Sequence, residues 1–65
     1  MQVLINHQAY QLPDNATLAD AVQAIGASGP FAAALNLQFV PRARYAQTPL
    51  AEGDKIEIIA PVTGG

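Results

Sequence analysis

The segment KIEIIA at residues 55–60 decides the fold, because it carries the clearest strand pattern in the chain. Ile56 and Ile58 fall on one face at the two-residue period of a half-buried strand. The turn signal EGD precedes the segment at residues 52–54, and Pro61 ends it because proline has no backbone N–H to donate. A strand with one apolar face has to be covered by another element.

The covering element is predicted to be a helix that begins at about Leu18. Its apolar residues recur at i, i+3, i+4 and i+7, and they are Leu18, Ala21, Val22 and Ile25. Thr17 and Asp20 have the spacing of a capping box, and Gly26 stands where a helix commonly ends in a left-handed conformation. One face of the helix is therefore expected to pack against the sheet.

The other predicted strands are, in chain order, residues 1–5, 9–12, 31–35 and 39–40. A turn at residues 6–8 joins the first two into a hairpin, Pro41 ends the fourth, and a brief irregular or helical stretch follows at residues 42–48. This order predicts an α+β fold of the ubiquitin-like β-grasp type. Such a fold has a mixed sheet of four to five strands with one main helix across one face.

Size and composition limit the possible functions. The 65 residues are 51% hydrophobic and 12% charged with a net charge of −2, which predicts one small domain at residues 1–60 and a flexible tail at residues 61–65. The three basic residues form no run, so nucleic-acid binding is disfavoured. We expect a cytoplasmic protein that does not enter a membrane, because no signal peptide or long apolar run is present.

The side chains offer little catalytic chemistry. The sequence has no cysteine, which excludes a disulfide, a thiolate metal site and a side-chain persulfide. His7 lies in a predicted turn without a recognisable nucleophile motif, so we interpret it as an exposed turn residue. The carboxylates of Glu52, Asp54 and Glu57 lack the spacing of a calcium loop. No catalytic residue and no metal site are predicted.

The last five residues, PVTGG at 61–65, are the strongest functional candidate. An extended arm of this length reaches about 17 Å beyond the fold. Gly64 and Gly65 have no Cβ, so they are thin enough to enter a narrow channel in another protein's active site. The carboxylate of Gly65 is a poor electrophile until a leaving group such as AMP is attached, so an adenylating partner is implied. Val62 and Thr63 would complete the arm.

Several segments resemble the ThiS family of thiamine-biosynthesis sulfur carriers over nearly the whole chain. They are ALN at residues 34–36, FVPR at 39–42, LAEGDKIEI at 50–58 and the terminal GG. The resemblance implies that a ThiF-like, E1-like enzyme uses ATP to adenylate Gly65, and that a sulfur donor such as a cysteine desulfurase converts it to a thiocarboxylate. A ThiG-like thiazole synthase would then accept the sulfur. The carrier would bind no cofactor and would not itself be an enzyme.

Three alternatives remain open at the level of sequence. The small subunit of molybdopterin synthase has a similar fold and also ends in Gly-Gly, although it tends to be longer and to have aromatic residues before its tail. A ubiquitin-like modifier conjugated to lysines would use the same terminal carboxylate. The third alternative is a binding domain whose glycine tail is incidental. Removal of Gly65 would then have no consequence.

A docking surface for these partners is predicted on the sheet face that the helix leaves open. The helix is expected to cover the face that bears Val3, Ile5, Ile56 and Ile58. Leu4 and Ile59 alternate with those residues, so both should lie on the open face and form an apolar patch there. Arg42 and Arg44 could add charge pairing with an acidic partner.

Overall fold

The structure is a computed structural model that describes residues 1–27 and 31–59. Its elements, in chain order, are strand β1 (Gln2–Ile5), strand β2 (Gln8–Gln11), helix α1 (Leu18–Ala24), strand β3 (Ala32–Leu35), strand β4 (Gln38–Val40), a 3₁₀ helix at Arg42–Gln47, and strand β5 (Lys55–Ile59). This is the predicted α+β order, and the brief helical stretch after Pro41 is confirmed.

The five strands form one mixed sheet in the order β2-β1-β5-β3-β4. β5 is the central strand, parallel to β1 on one side and antiparallel to β3 on the other. The two flanking hairpins, β1–β2 and β3–β4, are antiparallel. Because β5 is central, both of its edges are used by neighbouring strands, which is the most constrained position in a sheet.

Both ends of helix α1 have the capping interactions that the sequence predicts. The Asp20 carboxylate accepts a hydrogen bond from the Thr17 backbone N–H at 2.8 Å, as a capping box requires. Gly26 has φ +70°, and its N–H donates to the carbonyl of Gln23 while that of Ala27 donates to Val22. These two bonds form a Schellman motif, which confirms the predicted left-handed cap at Gly26.

The core lies between α1 and one face of the sheet. Its buried members are Val3, Ile5, Leu18, Ala21, Val22, Ala33, Tyr45, Leu50 and Ile56. Ile25 and Ile58 are half-buried and pack against this cluster. The helix therefore covers the sheet face that the two-residue alternation of β1 and β5 predicts.

The structure adjusts some predicted boundaries. β3 begins at Ala32, one residue later than predicted, and β2 occupies residues 8–11 because the turn before it has only two residues, Asn6 and His7. β4 gains Gln38. Residue 60, predicted as the end of β5, and the tail at residues 61–65 lie outside the described residues, so the division of the chain into a domain and a tail stays a prediction.

Candidate functional site

The predicted functional residues Val62, Thr63, Gly64 and Gly65 lie outside the described part of the chain. What the structure does describe is the strand that leads to them. β5 ends at Ile59, and residues 56 and 58 point into the core while Ile59 is 60% exposed. The candidate site is therefore built from the end of β5 and from the sheet surface around it.

The end of β5 is held from two sides. Towards β3, Ile58 and Ile59 pair with Ala33 and Ala32 in the antiparallel ladder. Towards β1, the strand pairing stops at Ile56, because β1 ends at Ile5 and the chain turns away. The side chain of Asn6 takes over on that side: its Oδ1 accepts the Ile58 N–H at 2.9 Å and its Nδ2 donates to the Ile58 carbonyl at 3.3 Å.

The start of β5 is held in a similar way by the second hairpin turn. The Oδ1 atom of Asn36 accepts the Lys55 N–H at 3.0 Å, and its Nδ2 donates to the Asp54 carboxylate at 3.1 Å. Asp54 also accepts the N–H of Ala51 at 2.8 Å. The carboxylate of Asp54 thus stabilises the turn before β5, which is a structural role.

Both turns have positive φ at both of their residues, as two-residue type I′ hairpin turns do. The φ angles are 51° and 72° at Asn6 and His7, and 50° and 70° at Asn36 and Leu37. Asparagine tolerates this left-handed region better than most residues, and leucine does not. Leu37 is nonetheless there, 87% exposed, in the position that favours glycine.

The open sheet face carries an apolar cluster near the end of β5. Ala32 lies opposite Ile59, and Ala34 lies opposite Phe39, so these four residues share the face that α1 leaves free. Phe39 is 69% exposed. We call Ala32, Ala34, Phe39 and Ile59 the open-face cluster.

Leu4 and Ile59 both lie on the open face, as the alternation predicts, but they are not adjacent. Leu4 pairs with Lys55, at the opposite end of β5 from Ile59. Four residue steps of strand, about 13 Å, separate Lys55 from Ile59, and the charged side chain of Glu57 lies between them on the same face. The neighbours of Ile59 belong instead to the open-face cluster, and the role of either residue in binding stays a prediction.

A groove of about 290 Å³ lies on the same face, around the start of β5. It is lined by Leu4, His7, Asn36, Leu37, Lys55, Ile56 and Glu57. His7 is exposed there, as predicted for a turn residue. Among residues 1–27 and 31–59, no group of histidine or carboxylate side chains could hold a metal ion.

Arg42 has a structural contact that the sequence does not indicate. Its guanidinium lies 4.5 Å from the centre of the Phe31 ring, which stacks on Tyr45 with 6.0 Å between ring centres. A cation over an aromatic face is attracted by the ring's electron density. This stack ties the 3₁₀ helix to the start of β3, so Arg42 contributes to packing.

Sequence reasoning missed Phe39 and Asn6 as parts of the site. β4 has three residues, too few to reveal which face a side chain occupies, although its pairing with Ala34 settles the question in the structure. The sequence identifies Asn6 only as a turn residue, because its partner Ile58 is 52 positions away. A turn asparagine gives no signal in the sequence for a bond at that separation.

The family comparison covers almost the whole chain. The ThiS family model matches residues 3–65. The Sulfur carrier protein ThiS of Escherichia coli (strain K12) is 35% identical over 66 residues, with all of both chains covered. That match includes the positions of the tail.

A comparison with solved structures supports the fold. The crystal structure of the thiamine biosynthesis protein ThiS from Geobacter metallireducens superimposes with a TM-score of 0.81 at 17% identity, and both chains are covered completely. At that identity the match concerns the fold, which confirms the predicted mixed sheet with one helix. Within the described residues, no helix is long and apolar enough to span a membrane.

Proposed function

Because this chain belongs to the ThiS family, we propose that it is a sulfur carrier of thiamine biosynthesis whose cargo is bound to the carboxylate of Gly65. The observation that carries the proposal is the family match, which extends through residue 65 and so includes both terminal glycines. The 35% identity to a sulfur carrier over the full length of both chains supports it.

The proposed chemistry has two steps. A carboxylate oxygen of Gly65 attacks the α-phosphorus of ATP in an adenylating enzyme, which forms the acyl adenylate and releases pyrophosphate. A sulfur nucleophile then attacks the acyl carbon and forms the C–S bond, while the C–O bond to AMP breaks and AMP leaves with the oxygen and the bonding electron pair. With hydrosulfide as the nucleophile, one proton is released and the thiocarboxylate results.

The residues of this chain present the Gly65 carboxylate to the partner enzymes, and no catalytic group is assigned to them. The proposal is therefore that the protein is a cosubstrate and not an enzyme. Its partners would be a ThiF-like adenylating enzyme, a sulfur donor such as a cysteine desulfurase, and a ThiG-like thiazole synthase. A cytoplasmic location accords with the use of ATP.

The open-face cluster is the surface on which we place the adenylating enzyme. Ile59 stands two positions before the tail at residues 61–65, so an enzyme that takes Gly65 into its active site approaches the sheet at this end of β5. Phe39 and Ile59 supply exposed apolar area there, of the kind that anchors a protein interface when water is excluded from it. Leu4 would lie at the margin of such an interface, beyond Lys55 and Glu57.

The proposed function is tested by intact-mass measurement after incubation with ATP, inorganic sulfide and the ThiF-like enzyme. We expect a gain equal to the replacement of one oxygen by sulfur. The control is the same chain without Gly65, whose terminal carboxylate is one residue short of the adenylation position. A gain in the control as large as in the full chain would contradict the assignment of Gly65.

The destination of the sulfur is tested in a second reaction. The thiocarboxylate form is given either to a ThiG-like thiazole synthase or to the large subunit of a molybdopterin synthase, and loss of the sulfur is followed by mass. Loss only with the thiazole synthase is expected. Loss only with the molybdopterin enzyme would move the chain to that pathway, and lysine-linked adducts in cells would favour the modifier reading.

The docking surface is tested by charge introduction. Phe39→Asp and Ile59→Asp should each weaken binding to the adenylating enzyme by at least tenfold, because each would bury a carboxylate without a partner. Gln23→Asp, on the exposed side of α1, introduces the same charge far from the sheet and should bind normally. Unchanged affinity for both sheet variants would remove the open-face cluster from the interface.

A further inference from the structure

We propose that Asn6 is a positioning residue for the carrier reaction, because its side-chain amide holds the end of β5 from which the tail departs. This inference rests on the function proposed above, since it concerns the delivery of Gly65 to an enzyme. Asparagine in such a turn is usually explained by its tolerance of positive φ, and here its side chain has a second role.

The amide of Asn6 replaces a missing strand neighbour. β1 stops pairing with β5 at Ile56, and the Asn6 backbone N–H donates to the Ile56 carbonyl at 2.9 Å as the last backbone bond on that side. One residue pair further on, Asn6 Oδ1 accepts the Ile58 N–H and Nδ2 donates to the Ile58 carbonyl. The side chain thus satisfies both backbone groups of Ile58, as a paired strand residue would.

A side-chain amide suits both contacts, because it has an acceptor oxygen and a donor nitrogen on one carbon. An aspartate at this position would accept from the Ile58 N–H but would place a second acceptor against the Ile58 carbonyl. Asparagine also suits the backbone, since Asn6 has φ 51°. The positive φ of the turn and the two side-chain bonds to Ile58 therefore both favour asparagine at position 6.

The two bonds between Asn6 and Ile58 affect the orientation of the end of β5 more than the overall stability of the fold. Asn6 is exposed, so water can replace its bonds when the side chain is removed, and the core below is untouched. Without it, Ile58 and Ile59 are held by β3 on one side only, so the end of β5 can fray. The chain that follows would then leave the sheet over a wider range of directions, which lowers the fraction of docked carriers with Gly65 in place.

Asn36 provides a matched control within the same molecule. It occupies the first position of the other type I′ turn, has φ 50°, and its Oδ1 accepts the Lys55 N–H at 3.0 Å. Its bonds fix the start of β5, four residues before Ile59. A merely structural role predicts equal consequences for loss of either asparagine, whereas a positioning role predicts a consequence for Asn6 alone.

The test compares Asn6→Gly with Asn36→Gly, because glycine accepts positive φ and so keeps each turn while it removes the side-chain bonds. Steady-state thiocarboxylate formation is measured with the ThiF-like enzyme, ATP and sulfide. We expect Asn6→Gly to lower kcat about fivefold, which corresponds to about 1 kcal/mol, with KM unchanged within twofold because the docking surface is intact. Asn36→Gly should leave both constants within twofold of the wild type.

Backbone amide hydrogen exchange and thermal unfolding are measured without any enzyme on four proteins, which are the wild type, Asn6→Gly, Asn36→Gly and Asn6→Asp. The Ile58 amide should exchange at least tenfold faster in Asn6→Gly than in the wild type and should be unaffected by Asn36→Gly. Asn6→Asp, which keeps the acceptor, should restore part of the protection at Ile58. Thermal midpoints of the two glycine variants should agree, which separates positioning from a general loss of stability.

Equal losses of kcat in the two variants, or no loss in either, would overturn the inference. So would unchanged exchange at Ile58 in Asn6→Gly, whatever the kinetics show. If the wild-type chain gains no sulfur at all, the proposed function fails, while the exchange data still decide whether Asn6 holds the end of β5.

Discussion

The two faces of the central strand β5 differ in how deeply their side chains are buried, and therefore in which residue types they can accept. Ile56 is 1% exposed under α1, where its size and shape are set by the surrounding core. On the opposite face of the same strand, Ile59 is 60% exposed on the side that also bears Phe39, with no described element above it. Apolar residues on the first face stabilise the monomer, and those on the second add little to its stability. The difference separates residues kept for folding from residues available for a partner.

The largest expected effect comes from the covered face. Ile56→Ala should lower the free energy of unfolding by about 2–5 kcal/mol, because it removes buried methyl groups and leaves a cavity between β5 and α1. Urea titration measures the change. Glu57→Ala, the adjacent residue on the open face, is the control and should change stability by less than about 0.5 kcal/mol. Similar losses for the two variants would abolish the distinction between the faces.

The next effect concerns the helix that makes one face covered. Asp20→Ala removes the carboxylate that accepts the Thr17 N–H, so α1 loses the Asp20 half of its capping box. We expect a loss of about 1 kcal/mol, measured by thermal unfolding. Asp20→Asn keeps an acceptor and should lose less. Full stability in the alanine variant would mean that packing alone determines where α1 begins.

A smaller effect of opposite sign is expected at Leu37. This residue has φ 70° and is 87% exposed, so its side chain gains little from packing while its backbone is strained. Leu37→Gly should stabilise the fold by about 0.5 kcal/mol, since relief of the left-handed strain exceeds the added freedom of the unfolded chain. The midpoint of urea unfolding should rise, and a fall would show that the leucine packs usefully in the groove.

The smallest expected effect on stability is at Phe39. Phe39→Thr keeps a residue with good strand propensity and should change the free energy of unfolding by less than about 0.5 kcal/mol, because most of the ring is exposed. Calorimetry checks this value. A loss above 2 kcal/mol would place Phe39 with the core residues and weaken the case for an open face.

Where a pattern repeats along several residues, the sequence predicts the structure well. The period of two in β5, the helical spacing from Leu18 to Ile25 and the glycine at residue 26 each predict an element that the structure confirms. In β3 the local signal is poor, because its three alanines have low strand propensity. It forms because it is paired on both sides, by β5 and β4, so tertiary context outweighs propensity.

The parts of the site that could not be predicted depend on long-range neighbours. Which apolar residues surround Ile59 follows from the register of β3 and β4, and the sequence contains no direct statement of register. The bond between Asn6 and Ile58 depends on the parallel pairing of β1 with β5. The proposal that Gly65 is the reactive end depends on its residue type, its position and the family resemblance, and its surroundings lie outside the described residues.

The central position of β5 also bears on when the protein can fold during its synthesis. β5 is the last strand of the described chain, yet β1 pairs with it across about fifty positions and neither hairpin can join the other without it. Such non-local pairing delays folding until both partners are present. We therefore expect a ribosome-bound chain to remain open until residue 59 has emerged, so that truncated products are exposed to proteases while completed ones are protected.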